Sequence, residues 1–209
     1  MWGMQYFSKL FSYITDVLFP PANTAELVRA ITPETFGRLV SPTLTAQGHT
    51  ALLPYRSSVV RAVIIEAKFH RNKKAISLLA QVLADYLIAL AEDSHSFDKH
   101  SLIVIPVPLS RKRYVSRGYN QVAEIVKASN VRHDCDTLVR VRDTLAQTLV
   151  SKHQRLTNMK AAFKAQGVFR SNTKYVLVDD VTTTGATLSA GLEALDTAGI
   201  HAIALALAH

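Results

Sequence analysis

Cysteine is nearly absent from this sequence: the 209 residues hold one, Cys135. A lone thiol excludes an intrachain disulfide framework and a zinc site built from clustered cysteines. It fits a reducing compartment, and the expected location is cytoplasmic. Acidic residues are also few, 16 against 24 Lys and Arg, for a net charge of +8. That imbalance favours anionic partners, phosphorylated metabolites or nucleic acid, although solubility alone is the plainer explanation. No Gly-Lys-Thr or Gly-Lys-Ser occurs, which excludes a Walker phosphate loop, and three spaced glycines of a dinucleotide fingerprint are missing. No charge-free window reaches the length of a transmembrane helix, so no membrane span is expected. Gln5, Lys9 and Asp16 interrupt the apolar residues near Met1, and no basic leader precedes them, so no signal peptide is expected either. Repeats and low-complexity tracts are missing too. What the chain does have is apolar residues, 48% of the total, ample for a packed core.

The stretch from Tyr175 to Thr187 organises the rest. Tyr175 to Val178 is an apolar, β-branched run that reads as a buried strand, with the carboxylates Asp179 and Asp180 at its carboxyl end. Val181 and Thr182 lead into a loop of small residues, Thr183, Thr184, Gly185, Ala186 and Thr187. A helix follows, with Leu188, Leu192 and Leu195 at helical spacing and Gly199 placed to stop it. A strand-to-helix loop points backbone N–H groups into one concavity, where the helix dipole adds roughly half a positive charge. Thr183, Thr184 and Thr187 add hydroxyl donors, and Gly185 permits close approach or a positive φ. Carboxylates accept hydrogen bonds and suit the vicinal hydroxyls of a sugar. A phosphate cradle and an acid pair at one strand end describe a ribose 5-phosphate site. An ordinary capped turn would need one hydroxyl and no acid pair.

This segment resembles the phosphoribosyl pyrophosphate (PRPP) motif of type I phosphoribosyltransferases: four mostly apolar residues, two acids, an apolar residue, then Thr-Thr-Gly-x-Thr. The remaining chain suits an α/β fold with a parallel sheet flanked by helices. Residues 1–54 are expected as an N-terminal helical appendage and linker, and residues 55–209 as the main domain. Met4, Phe7, Phe11, Ile14 and Leu18 share a helical face; 22–54 reads as irregular. One helix is expected from Ser57 or Ser58 to His70, and a second, capped by Asn72, carries Ile76, Leu79, Leu83 and Leu87. Leu102 to Ile105 reads as a strand that runs into Pro106, Val107, Pro108 and Leu109, then a basic loop of Ser110, Arg111, Lys112 and Arg113. A helix burying Val122, Ile125 and Val126, a strand over Thr137–Arg142, and a helix after Ser151 burying Leu156, Met159 and Phe163 come next. A last strand is expected at the end, from Ile200 to Ala208. In such sheets ligands sit beyond the carboxyl strand ends at the switch in winding direction, so the basic loop and the acid-pair loop can converge. The basic loop would face a pyrophosphate.

From Leu53 to His209 the chain is similar to the ComF/GntX branch of phosphoribosyltransferase-like proteins. The resemblance is carried in order by Leu53-Pro54-Tyr55 with Lys68-Phe69-His70; by Pro106 to Leu109 with Arg117, Gly118, Tyr119, Asn120 and Gln121; by Arg140, Arg142, Thr144, Gln147, Arg155 and Asn158 with Ala162-Phe163; and by the PRPP motif. It implies a type I phosphoribosyltransferase fold that uses PRPP with Mg²⁺, and a link to natural competence and the handling of imported DNA. Family members with a zinc-binding segment carry paired cysteines after a Phe-Pro-Pro-like sequence. Here Phe19-Pro20-Pro21 is followed by no cysteine, so no zinc is expected.

Two readings of function stay open. As an enzyme, Asp179 and Asp180 would hold the ribose of an oxocarbenium-like transition state, and Arg111, Lys112 and Arg113 would stabilise the departing pyrophosphate. Arg117, Asn120, Gln121, Thr144, Gln147, Arg155 and Asn158 would serve the loop that closes over the site, or equally would only tie helix to loop. The acceptor pocket would come from residues 1–100. As a binding module, the chain would sense PRPP or a nucleotide and act through competence or replication-restart proteins and single-stranded DNA, on which Tyr114 and Tyr119 could stack.

Overall fold

The structure, a computed structural model, describes residues 21–93, 102–141, 162–167 and 173–209. In chain order the elements are α1 (Pro21–Ala30), α2 (Pro33–Gly37), β1 (Thr43–Leu44), β2 (Thr50–Leu53), α3 (Ser58–Phe69), α4 (Lys73–Asp93) and β3 (Leu102–Pro106). They continue with α5 (Arg111–Arg117), α6 (Gln121–Ala128), β4 (Leu138–Arg140), β5 (Phe163–Ala165), β6 (Lys174–Val181), α7 (Ala186–Thr197) and β7 (Ala202–Ala208).

Strand alternation divides the core into two layers. Val104, Val176, Val178, Leu205 and Leu207 face one side, where α3, α4 and α6 cover them with Val60, Val63, Leu79, Leu83, Val122 and Ile125. Ile105, Tyr175, Leu177 and Ala206 face the other, against Leu188 and Leu195 of α7 and Leu138 and Phe163 of the β4–β5 hairpin. A strand covered on both faces must be apolar throughout, which is why Tyr175 to Val178 is a continuous hydrophobic run. α4 is long and apolar enough to cross a membrane by composition, yet its apolar stripe, with Leu79 and Leu83, lies in the first layer.

The main sheet has five strands in the order β1-β2-β7-β6-β3. β2, β7, β6 and β3 run parallel, and β1 is antiparallel to β2. Beyond β3 the chain returns once more: Val104 donates to the Arg132 carbonyl and accepts from Asp134 N–H, both at 2.9 Å, as a parallel bridge to His133. β3 therefore winds outward through α6, while β6 winds the opposite way through α7 to β7, and the two helices lie on opposite faces. The switch in winding falls between β3 and β6, so the segments leaving those two strands open into one crevice.

Three elements differ from the sequence expectation. Residues 22–54 are not irregular: they form α1, α2 and the β1–β2 hairpin, and β2 pairs with β7 inside the main sheet. The basic loop is a helix, α5, because Ser110 caps its start by accepting from Arg113 N–H at 3.3 Å and Gly118 ends it at φ 76°. Phe163 belongs to strand β5, paired with Arg140, and not to a helix. The helical face of Met4, Phe7, Phe11, Ile14 and Leu18, and the start of the helix expected after Ser151 with Leu156 and Met159, fall outside the described residues.

The fit of α7 on β6 rests on Gly191, where an added Cβ would stand 2.6 Å from the buried Leu177 Cδ2. Gly191→Ala should lower stability by about 1–3 kcal/mol through overpacking, outweighing the gain of at most ~1 kcal/mol in helix propensity. Urea unfolding checks this; an unchanged or raised midpoint would contradict the packing.

Candidate functional site

The loop leaving β6 is anchored at its base. Thr182 is buried, its N–H donates to the Ala208 carbonyl at 3.0 Å, and its carbonyl lies 2.9 Å from His209 Nδ1. Thr183 is exposed, while Thr184, Ala186 and Thr187 are partly exposed. Gly185 is the N-cap of α7, at φ 70°, and supplies no side-chain hydrogen bond to the first turn. The opening N–H groups of α7 thus lack a side-chain cap, the arrangement that receives an anion at a helix N-terminus.

Gly185 is also held from behind, by residues the sequence did not single out. A Cβ there would meet Gln47 Cγ and Oε1 at 3.0 Å and His49 Cε1 at 3.1 Å, so the β1–β2 turn packs directly on the loop. His49 is buried, and burial lowers its pKa and keeps the ring neutral. Its Nε2 lies 3.3 Å from Ser189 Oγ in the first turn of α7.

The two acids have separate fates because successive residues of a strand face opposite sides. Asp180 shares the face of Val178 and is buried beneath α3 and α6. Its Oδ2 receives Lys68 Nζ at 3.0 Å and Gln121 Nε2 at 2.8 Å, and its Oδ1 accepts from Val181 N–H at 2.8 Å. Burial pushes this carboxyl up, but Lys68, Gln121 and the Val181 N–H outweigh it and hold the pKa below its ordinary value. Asp179 is partly exposed and has a weaker set of partners, accepting from Asp180 N–H at 2.9 Å. Burial, then the neighbouring Asp180 charge, push its pKa up to about 7. The pair thus offers one committed carboxylate and one that gains or loses a proton near neutrality.

The basic side of the crevice comes from the other strand. Val107 N–H donates to the Val178 carbonyl at 2.8 Å, which carries the pairing of β3 and β6 past Pro106. Pro108 and Leu109 are partly exposed, Ser110 is buried as the cap of α5, and Arg111, Lys112 and Arg113 are exposed. Asn120 caps α6, accepting from Val122 N–H at 3.0 Å, and its Nδ2 donates to the Val107 carbonyl at 3.0 Å. Arg117 Nη1 donates to Gln121 Oε1 at 3.1 Å, and through Gln121 is joined to Asp180. Of the residues expected to close the site, Arg117, Asn120 and Gln121 are therefore tied to the base of the crevice. Thr144, Gln147, Arg155 and Asn158 lie outside the described residues. Lys68 is the addition, a cation from α3 placed against the acid pair. Among the described residues no group of three His, Cys, Asp or Glu side chains is arranged to hold a metal ion.

The split acid pair has a pH signature. Asp179 binds its proton more tightly when folded, so its contribution is full below its unperturbed value of 3.8 and is lost as pH rises through about 7. Asp180 acts in the opposite sense: its contribution is present above the ordinary value and lost as pH falls through its lowered folded value. Asp179→Asn should therefore be increasingly more stable than the wild type as pH rises from about 4 to 7, with a plateau beyond. Denaturant unfolding over pH 4–8 checks this, and parallel curves for the two proteins would contradict the assignment.

Three relatives show where similar chains are found. Competence protein ComFC of Streptococcus pneumoniae is 33% identical over 122 residues, 58% of this chain and 52% of that protein. DNA utilization protein YhgH of Escherichia coli O6:H1 is 30% identical over 135 residues, 61% of this chain and 56% of that protein. Competence protein F of Haemophilus influenzae is 34% identical over 107 residues, 48% of this chain and 46% of that protein. The chain spans about half the length of the curated relatives it matches. No family model matches it.

Proposed function

We propose that this chain is a ComF-family protein with a type I phosphoribosyltransferase fold that binds PRPP or a related ribose phosphate and transfers its phosphoribosyl group. The carrying observation is the uncapped N-terminus of α7 beside Asp179 at the winding switch between β3 and β6. The relatives named for competence and DNA utilization agree with the family and suggest a setting in DNA uptake.

In this reading the 5-phosphate takes the N–H groups and hydroxyls of Thr183 to Thr187. The ribose hydroxyls donate to Asp179, and to Asp180 where Lys68 and Gln121 yield to them. Arg111, Lys112 and Arg113 supply positive charge for the diphosphate. Bond cleavage at the anomeric carbon sends the electron pair to pyrophosphate and leaves an oxocarbenium-like sugar, which the nearby carboxylates favour electrostatically. The incoming nucleophile then forms the new bond at that carbon. Mg²⁺ bound with the substrate would neutralise diphosphate charge, with Asp179 as the carboxylate open to it, since Asp180 is held by Lys68, Gln121 and the Val181 N–H.

Replacing both acids, Asp179→Asn with Asp180→Asn, should weaken PRPP binding in the presence of Mg²⁺ by roughly 1–3 kcal/mol per charged hydrogen bond lost. Calorimetry measures this, and unchanged affinity would remove the ribose role. Pyrophosphate release stimulated by a particular base or amine supports transfer; binding without release for every acceptor makes the chain a binding module.

A groove of about 590 Å³ favours a second reading as that module. Arg71, Arg111, Tyr114, Lys127 and Arg140 line it, combining cations with an exposed aromatic ring as single-stranded DNA requires. Oligonucleotide affinity that falls steeply with salt and survives the Asp179 and Asp180 changes would support this separate surface. Salt-independent or undetectable binding would count against it.

A further inference from the structure

His49 sits in the β1–β2 turn, is only 5% exposed, and has no part in the chemistry proposed above. The turn that carries it is tightly made. Thr45 N–H donates to the His49 carbonyl at 2.8 Å, Gly48 N–H to the Thr45 carbonyl at 2.9 Å, and His49 N–H to the Thr45 hydroxyl at 3.1 Å. Thr45 is buried with it. With its backbone so fixed, the ring is aimed at the start of α7. Its Cε1 stands 3.1 Å from where a Gly185 Cβ would be, and its Nε2 lies 3.3 Å from Ser189 Oγ. Ser189 N–H in turn donates to the Gly185 carbonyl at 2.9 Å, which closes the first turn of the helix. The ring therefore packs against both ends of that turn.

This placement has a cost that packing alone does not require. His49 Nδ1 is buried and has no hydrogen-bond partner among the described residues. An unpaired buried polar atom lowers stability, and an apolar side chain would fill the same space without that loss. Such local rules are broken where a site demands it. Two properties of imidazole suit the position. Nε2 can exchange a hydrogen bond with a hydroxyl in either neutral tautomer. Burial keeps the ring neutral, so it packs against the positive end of the helix dipole without repulsion.

We propose that His49 is a positioning residue: through Gly185 and Ser189 it holds the first turn of α7 in the geometry that receives the 5-phosphate. This rests on the ribose-phosphate reading of that bend and gives the β1–β2 hairpin a share in the site. Donors aimed at an anion are most effective when they are fixed before the ligand arrives. Gly185 has no side chain to fix it and supplies no cap. A capping side chain would also compete with the phosphate for the opening N–H groups. The ring acts instead as a brace from behind, through the Ser189 hydroxyl, and leaves those N–H groups to the ligand.

Calorimetry with ribose 5-phosphate and amide hydrogen exchange test this on the full chain. His49→Ala should weaken ribose 5-phosphate binding about five- to ten-fold, the size of one hydrogen bond. His49→Gln, whose side-chain amide reaches the place of Nε2, should restore it. Ser189→Ala removes the same contact from the helix side and serves if His49→Ala does not fold. Its loss should match, and combining it with His49→Gln should undo the rescue. Without ligand, Ser189 N–H should exchange faster in His49→Ala and in Ser189→Ala, with Leu195 at the far end of α7 unchanged. Unchanged affinity in both variants, or a loss that His49→Gln does not restore, would overturn the proposal, as would exchange that rises equally along α7. Should the wild type bind no ribose 5-phosphate, the ribose-phosphate reading falls. Faster exchange confined to the first turn would then keep the brace, and unchanged exchange would remove it.

Discussion

The ion pair between the half-buried Lys68 and the buried Asp180 is the contact on which the site depends. Two adjacent carboxylates at a strand end repel each other, and burial makes both charges costly. Lys68 and Gln121 resolve this by stabilising the charge on one of them. Asp180 stays ionised and draws α3, α6 and β6 to one point, while Asp179 is left beside that charge with its pKa raised to about 7. Removing Lys68 would leave the buried Asp180 charge without its cation, which is costly. Burial is the larger cause of the rise at Asp179, and the Asp180 charge that this contact keeps in place adds to it.

Much of this geometry could be read in the chain, and what could not has an identifiable cause. Tyr175 to Thr187 carried its own local signals, an apolar run, paired acids and a small-residue loop, so strand, loop and helix were all expected there. Asn72 and its helix were legible for the same reason: a cap followed by a steady helical period. α5 gives no apolar face to find, because four of its seven residues are Arg or Lys and none of the seven is buried. Ser110 and Gly118, eight residues apart, were the available signal, a cap at each end. Phe163 fits a helix by spacing alone, yet its partner Arg140 lies 23 residues earlier, beyond any local window.

The contacts that shape the site are of the second kind. Lys68 meets Asp180 across 112 residues of sequence, and His49 meets Ser189 across 140. Neither pairing leaves a trace in local periodicity. Strand parity did hold part of the answer: adjacent acids on a strand buried on both faces must point to opposite layers, so one of them had to meet the helices of the first layer. The β1–β2 turn adds a constraint on Gly185 beyond its positive φ, since any side chain there would strike Gln47 and His49.

What unites these observations is a helix start without a side-chain cap beside an acid whose pKa is raised by burial and by the neighbouring Asp180 charge. Backbone amide NMR during titration with ribose 5-phosphate and Mg²⁺ tests that union most directly. The account expects the largest shifts at Thr183 to Thr187, with Asp179 moving in the same titration. Shifts confined to the outer groove of α5 and α6, with the bend after β6 unperturbed at saturation, would contradict it.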